Sequence, residues 1–331
     1  MKKLSVCLIM LAVGLAFSTT PTAFGGEKLM VYTSMKESLI GQLRDAFIKK
    51  NPGIEMDYQS AGAGKLMAKI AAERESGKIL ADVLWTSEVP DFYQLQSQGM
   101  LEKYISPEVK NIVNPLTDFD GSFTPARLGT LGIAYNTRFI KEAPKTWQDL
   151  ANPAFKGAFG IANPGLSGTA YVSVAMLEKA FGWEFFHKLK ANGAKMGKGS
   201  GQVVDDTASG DLLASLAVDY ITNDKIEKGA TLALVYPTEM LVIPSPVTIF
   251  KGTLNLASAQ KFVDFLLSKQ GQEIIAAEGT LPVRPDVMVP ARFNLPSPED
   301  AVKRGIKVDY PKMSAAKEET IKKFSDIMQG K

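Results

Sequence analysis

Short apolar β-type runs alternate with helix-period segments along most of this chain, and small polar loops separate them. Lys28 to Tyr32 is the first such run. Leu39, Leu43 and Phe47 then recur at i, i+4 and i+8, one face of a helix that Asn51-Pro52-Gly53 ends. Ser34 and Glu37, just ahead of it, have the spacing of a capping box. Ile54 to Tyr58 reads as a second strand, and Leu66, Ile70 and Glu73 mark a second helix stopped by Gly77. Asp82 to Trp85 is the third strand. A β-loop-α order returns each strand in the direction of the last, so it predicts a parallel sheet with helices on its faces.

The alternation resumes beyond Pro125. Gly129 to Tyr135, Ala158 to Ala162, Lys195 to Met196 and Ala214 to Val218 read as strands, with helices over Thr169 to Phe181 and Gln202 to Ser209. Val242 to Phe250 is an apolar run interrupted by Pro244 and Pro246, and Ala257 to Ser268 is an amphipathic helix. From about Pro290 the chain is rich in proline and charge and ends in a helix through Ile321, Phe324 and Ile327. With 331 residues and 45% hydrophobic content, two domains are expected.

The amino terminus carries a targeting pattern. Lys2 and Lys3 precede an apolar run from Leu4 to Phe17, and Ala23-Phe24-Gly25 offers small residues for cleavage before Gly26. This is the pattern of a secretory signal peptide over 1–25. Cys7, the one cysteine, lies inside that run with no apolar stretch before it, so lipidation is not expected and the exported chain has no thiol chemistry. The formal charge of +3 includes both leader lysines and no single-sign block stands out, so neither nucleic acid nor a lipid surface is an expected partner.

Several segments carry a family resemblance. Leu29-Met30-Val31-Tyr32-Thr33-Ser34 resembles the first strand of type II periplasmic solute-binding proteins, and Ala81-Asp82-Val83-Leu84-Trp85 their third. Gly132-Ile133-Ala134-Tyr135-Asn136 resembles the start of their second lobe, and Asn163-Pro164-Gly165-Leu166-Ser167-Gly168-Thr169 the anion-binding turn within it. Asn255 to Gln272 with Pro282-Val283-Arg284-Pro285 resembles their return helix and its exit. The similarity spans roughly 27–290 and is nearest the branch of ferric-ion, 2-aminoethylphosphonate and hexose-phosphate binding proteins. It implies an α/β fold of two lobes, each a mostly parallel sheet flanked by helices, with ligand in the cleft. Lobe one would comprise 26–125 plus 247–290, lobe two 126–246, and 291–331 a tail packed on the body. The strands crossing between lobes would lie near 124–130 and 243–248 and act as a hinge. The implied function is the substrate-binding component of an ABC importer: a periplasmic monomer that hands a small organic anion, expected to be phosphorylated or a phosphonate, to a permease and ATPase, without a cofactor.

In such a fold, ligands sit off the carboxyl ends of the strands, where free N–H groups of helix N-termini bind anions. Thr33-Ser34, Ser167-Gly168-Thr169 and Ser200-Gly201-Gln202 occupy such places, with Gly62 and Thr86-Ser87 as further cleft candidates. Each of these hydroxyls could equally be an ordinary helix cap. Gly62-Ala63-Gly64-Lys65 is not a P-loop, because Gln59 and Leu66 stand where glycine and Ser or Thr are required. Asp219 and Tyr220 are expected to end a strand and Glu239 follows Tyr236-Pro237-Thr238; the two acids could hold an ammonium or hydroxyls, or serve in surface or interlobe ion pairs.

Two alternatives stand beside the anion reading. A ferric site with a synergistic anion would need more than Tyr220, since Asp219 stands where the ferric branch has a second tyrosine; His187, the one histidine, lies on a helical surface pattern. A secreted carboxylate-based hydrolase is the other alternative, although the chain has no Gly-x-Ser-x-Gly elbow and no cysteine nucleophile after the leader. Amino-terminal sequencing of the exported protein is expected to begin at Gly26; an intact Met1 or a lipid on Cys7 contradicts the leader reading.

Overall fold

The computed structural model describes residues 27–116 and 119–331; the leader and Cys7 lie outside them. The first strand, β1 (Glu27–Thr33), shows why the helices pack on both faces of the sheet. Leu29 and Val31 belong to one apolar cluster and Tyr32 to another on the opposite side. A strand that buries both faces must be sandwiched. Helix α1 (Glu37–Lys50) buries Leu39, Ile40, Leu43 and Phe47, returns through β2 (Ile54–Ser60), and is followed by α2 (Ala63–Glu75), β3 (Val83–Trp85) and α3 (Val89–Ser97). Both β2 and β3 run parallel to β1, pairing Thr33 with Ser60 on one side and with Trp85 on the other. A short β4 (Leu101–Glu102) then leads towards the long crossing strand β5 (Thr124–Asn136).

The second half repeats the plan with β6 (Phe159–Ala162), α4 (Gly168–Ala191), β7 (Lys195–Gly197), α5 (Ser200–Ser209), β8 (Ala214–Val218), α6 (Asp219–Glu227) and β9 (Leu232–Val235). The chain comes back along β10 (Leu241–Phe250) into α7 (Leu256–Leu267) and α8 (Lys269–Ala277). Helix α4 runs past the expected end at Phe181. Gly182, with φ 71°, kinks it there, a backbone conformation that favours glycine.

The strand order is β2-β1-β3-β10-β5-β8-β6-β7, a single sheet running through both halves. β1, β2 and β3 are mutually parallel, as are β6, β7 and β8; the antiparallel pair β5 and β10 joins the two sets. Every β10 residue is buried, so Pro244 and Pro246 lie in the interior of the sheet, where their missing N–H groups break the ladder. The β5–β10 register shifts between them. The irregularity turns Ser245 towards β3: its carbonyl accepts the Trp85 indole N–H at 3.2 Å, and its hydroxyl lies 3.1 Å from that of Ser87.

The chain ends in α9 (Pro298–Arg304), α10 (Tyr310–Ala315) and α11 (Lys317–Gln329). Helix α10 packs on α3 of the first half and α11 on α4 of the second, so these helices straddle the junction. Phe324 meets Phe186 edge-on at 5.3 Å, Tyr310 stacks on Tyr93, and the Tyr171 hydroxyl donates to the Met313 carbonyl. At the centre, the Lys317 ammonium pairs with two buried carboxylates at the start of α3, Glu88 and Asp91. One lysine cannot neutralise both. Burial and the neighbouring Asp91 push the Glu88 carboxyl up to about 7, against the pull of Lys317, and burial raises Asp91 as well.

Because the folded Glu88 holds its proton more tightly than an unfolded glutamate at 4.5, its contribution is fully present at low pH and is lost as pH rises through about 7. Glu88→Gln is expected to flatten the fall of Tm across that window. Lys317→Met, which leaves both acids without a counter-charge, is expected to steepen it. Thermal melts between pH 4 and 8 check both.

Candidate ligand-binding site

The carboxyl ends of β1 and β3 meet the first turns of α2, α4, α5 and α6 around a hollow of about 200 Å³. Ser34, Gly62 and Ser87 line it from the first half; Ser167, Gly168, Thr169, Ser200 and Tyr220 line it from the second. The walls approach closely, since a Cβ on Gly62 would stand 3.6 Å from the Leu166 carbonyl oxygen opposite. Gly168 is tighter still: a side chain there would overlap Glu88. A larger hollow of about 520 Å³ lies off the other end of β3, beside Asp82 and Leu254. Asp82 is satisfied there by Met30 N–H, Thr253 and Asn255, so among the described residues that hollow presents no unmet buried side-chain polar group.

The hydroxyls are arranged to donate. Ser34 does not form the expected capping box, because α1 starts at Glu37 after an uncapped Lys36. Its Oγ accepts the Ser87 N–H at 3.1 Å instead, which leaves its own proton for a ligand. Ser167 does cap α4, accepting from Ala170 N–H at 3.3 Å, and its Oγ lies 3.0 Å from that of Ser200. A hydroxyl pair uses one proton between its members and has a second to give. The α2 and α5 N-termini carry no side-chain cap, so their first N–H groups add to the positive end of each dipole.

Arg127, on β5, is the residue the sequence reading missed. It lines the hollow, is 1% exposed, and its Nε and Nη1 have no hydrogen-bond partner among the described residues. Its guanidinium lies 4.8 Å from the centroid of the Tyr220 ring; the Lys36 ammonium lies 5.8 Å from the same ring. A signal was available: Arg127 is the one charged residue between Asp120 and Arg138. Burial of a charge without full hydrogen bonding is costly, so an incompletely bonded guanidinium beside a cavity is a candidate for an added acceptor.

The remaining candidates do not line this hollow. Thr33 donates to the Trp85 carbonyl at 2.8 Å and accepts from Met35 N–H at 3.1 Å, a local turn contact. Thr86 is buried, its hydroxyl without a partner among the described residues, and Gly201 lies one residue into α5; neither is in the lining. Asp219 starts α6 rather than ending a strand, and it is fully buried. It accepts from Thr130 N–H at 2.8 Å, Thr130 Oγ1 at 3.0 Å, Tyr220 N–H at 2.7 Å and Thr280 Oγ1 at 2.6 Å. Its charge therefore supports Arg127 from behind instead of facing a ligand. Glu239 has an exposed side chain elsewhere, and its carbonyl accepts the Trp147 indole N–H. His187 is exposed on α4. Burial pushes the Tyr220 phenol up, against the pull of Arg127, so it is a neutral hydroxyl at pH 7.

Gly129 gives the arginine its room, since a Cβ there would overlap Arg127 Nη2. Gly129→Ala is expected to displace the guanidinium, the flexible end of its side chain, while the strand stays in place. Ligand affinity should fall about tenfold or more with stability changed by about 1 kcal/mol or less, as calorimetry and thermal melts will report.

Residues 78–312 match the family model described as bacterial extracellular solute-binding protein. A putative 2-aminoethylphosphonate-binding periplasmic protein of Salmonella typhimurium is 27% identical, over 73% of each chain. Among solved structures, the periplasmic binding protein AfuA from Actinobacillus pleuropneumoniae, with fructose-6-phosphate bound, superposes with a TM-score of 0.75 at 26% identity. That match covers 91% of this chain and 98% of AfuA. Iron-bound HitA from Pseudomonas aeruginosa superposes at 0.76 with 25% identity, covering 91% and 99%. These neighbours have the two-lobed periplasmic binding fold, and the hollow around Arg127 lies where the two halves face each other. With its α/β architecture, its position-by-position match and its interlobe cleft, the chain belongs to the bacterial extracellular solute-binding protein family.

Proposed function

We propose that this protein is the periplasmic receptor of an ABC importer, and that it captures a small organic anion with a phosphoryl or phosphonate head. It acts as a monomeric binding protein rather than an enzyme, and delivers its ligand to a membrane permease and ATPase. The observation that carries the ligand class is Arg127: a buried guanidinium with two nitrogens unpartnered among the described residues, on a residue that lines a cavity ringed by Ser34, Ser87, Ser167, Thr169 and Ser200. Neutral hydroxyl and N–H donors around one fixed cation suit a tetrahedral oxyanion, whose several oxygens can accept from all of them. β5 and β10 serve as the hinge, with lobe one at 26–125 plus 247–290 and lobe two at 126–246.

A ferric ion fits this cavity less well. A hard trivalent cation needs anionic ligands, whereas the cavity offers a permanent cation and a phenol that burial holds in its neutral form.

Mass spectrometry of the ligand released from the purified protein is expected to find a phosphorus-containing anion. Arg127→Leu should weaken its binding by about 2–5 kcal/mol. Ser167→Ala and Thr169→Ala should each cost about 1.5–3 kcal/mol, and Tyr220→Phe less. Normal binding by Arg127→Leu and by a variant carrying both Ser167→Ala and Thr169→Ala, with loss of binding and of a visible charge-transfer band in Tyr220→Phe, establishes the ferric reading instead.

A further inference from the structure

The cavity recognises one end of a ligand by charge, and the inventory of its other walls limits what the second end can be. One cation, Arg127, lines it; a second, Lys36, lies outside the lining, 5.8 Å from the ring of Tyr220 and within the field of Asp224 and Asp205. The lining contains no carboxylate among the described residues. Each nearby acid is already committed. Asp219 accepts four hydrogen bonds and lies sealed beneath Tyr220. Glu88, pressed against Gly168, is paired with Lys317. Asp205 and Asp224, on the outer faces of α5 and α6, hold Lys225 and Lys228 at 2.5 and 2.8 Å. The surfaces left for the second end of a ligand are Ala63, Leu166 and Ile221, all apolar.

The volume sets a second limit. About 200 Å³ lies below the ~300–1,000 Å³ of sites that enclose drug-sized molecules, so an oxyanion head leaves room for a short arm only.

Resting on the anion reading above, we propose that the cleft selects a phosphoryl or phosphonate anion whose short arm carries no positive charge, and that it discriminates against aminoalkyl phosphonates. An ammonium on the arm would be desolvated in a cavity lined by Arg127, with no carboxylate in the described lining to receive it. An ethyl or hydroxyethyl arm of the same length meets apolar wall or a serine hydroxyl without that conflict. The sequence expectation that Asp219 and Glu239 read an amine is replaced by this selectivity, because neither carboxylate reaches the cavity.

The test is a calorimetric series on the ligand-stripped, full-length exported protein with inorganic phosphate, ethylphosphonate, 2-hydroxyethylphosphonate and 2-aminoethylphosphonate at one pH. The three phosphonates have arms of nearly equal size and differ in polarity and charge. The aminoethyl compound is expected to bind at least about 10-fold more weakly than the hydroxyethyl compound, the scale of a like-charge conflict. Leu166→Asp places a carboxylate at the cavity mouth on a residue that is 60% exposed, and is expected to narrow or reverse the ratio. Aminoethylphosphonate binding as tight as hydroxyethylphosphonate, or tighter, in the unmodified protein overturns the selectivity and leaves the anion reading standing. Absence of binding by all four probes overturns both.

Discussion

A buried guanidinium dictates the centre of this molecule. Arg127 stands on β5 in the stretch where the chain crosses between halves, and its burial must be compensated. Asp219 supplies charge from behind, Tyr220 supplies a ring face, and Gly129 leaves space for the Nη2 group. Asp219 in turn ties the Thr130 N–H, two threonine hydroxyls and the start of α6 into one network. Among the described residues nothing partners Nε and Nη1, and the residue that carries them lines the cavity. The same network that makes the arginine tolerable fixes its place beside the cavity, and the proposed oxyanion would complete it.

The two long strands explain how the N-termini of α2, α4, α5 and α6 come to line one hollow. Parallel strands place their carboxyl ends, and the helices that follow, on one edge of a sheet. Here two such sets are joined edge to edge through β5 and β10, so the loops after β1, β2 and β3 oppose those after β6, β7 and β8. The C-terminal helices close the far side, with Lys317 held between Glu88 and Asp91 at the junction. Glu88 touches Gly168 across the cleft, which places a group titrating near neutrality one residue from Ser87 on the cavity wall.

Much of this was legible because it rests on local chemistry. The 3.6-residue recurrence of Leu39, Leu43 and Phe47 and the alternation that buries Leu29 and Val31 on one face act within a few residues. The small polar turns at Ser34, Ser87, Ser167 and Ser200 were legible for the same reason, since helix starts after strands want such residues. Arg127 was not singled out because strand propensity says nothing about which face a lone arginine meets. Asp219 was misplaced because its role depends on Thr130 and Thr280, 89 and 61 residues away in sequence. The Ser34 capping box failed because Ser87, 53 residues on, competes for the same hydroxyl.

The sequence by itself determined the α/β alternation, the places where strands give way to small-residue turns, and the resemblance that the family match bears out. Those follow from periodicity and from backbone preferences that each segment carries alone. Only the tertiary structure decided which hydroxyls share a cavity, that Asp219 faces an arginine rather than a ligand, and that the cavity is cationic with no free acid among its described walls. Charge in a site is a sum over side chains brought together from distant segments, and its strength depends on burial. Neither quantity exists until the β5–β10 pair has set the two halves face to face.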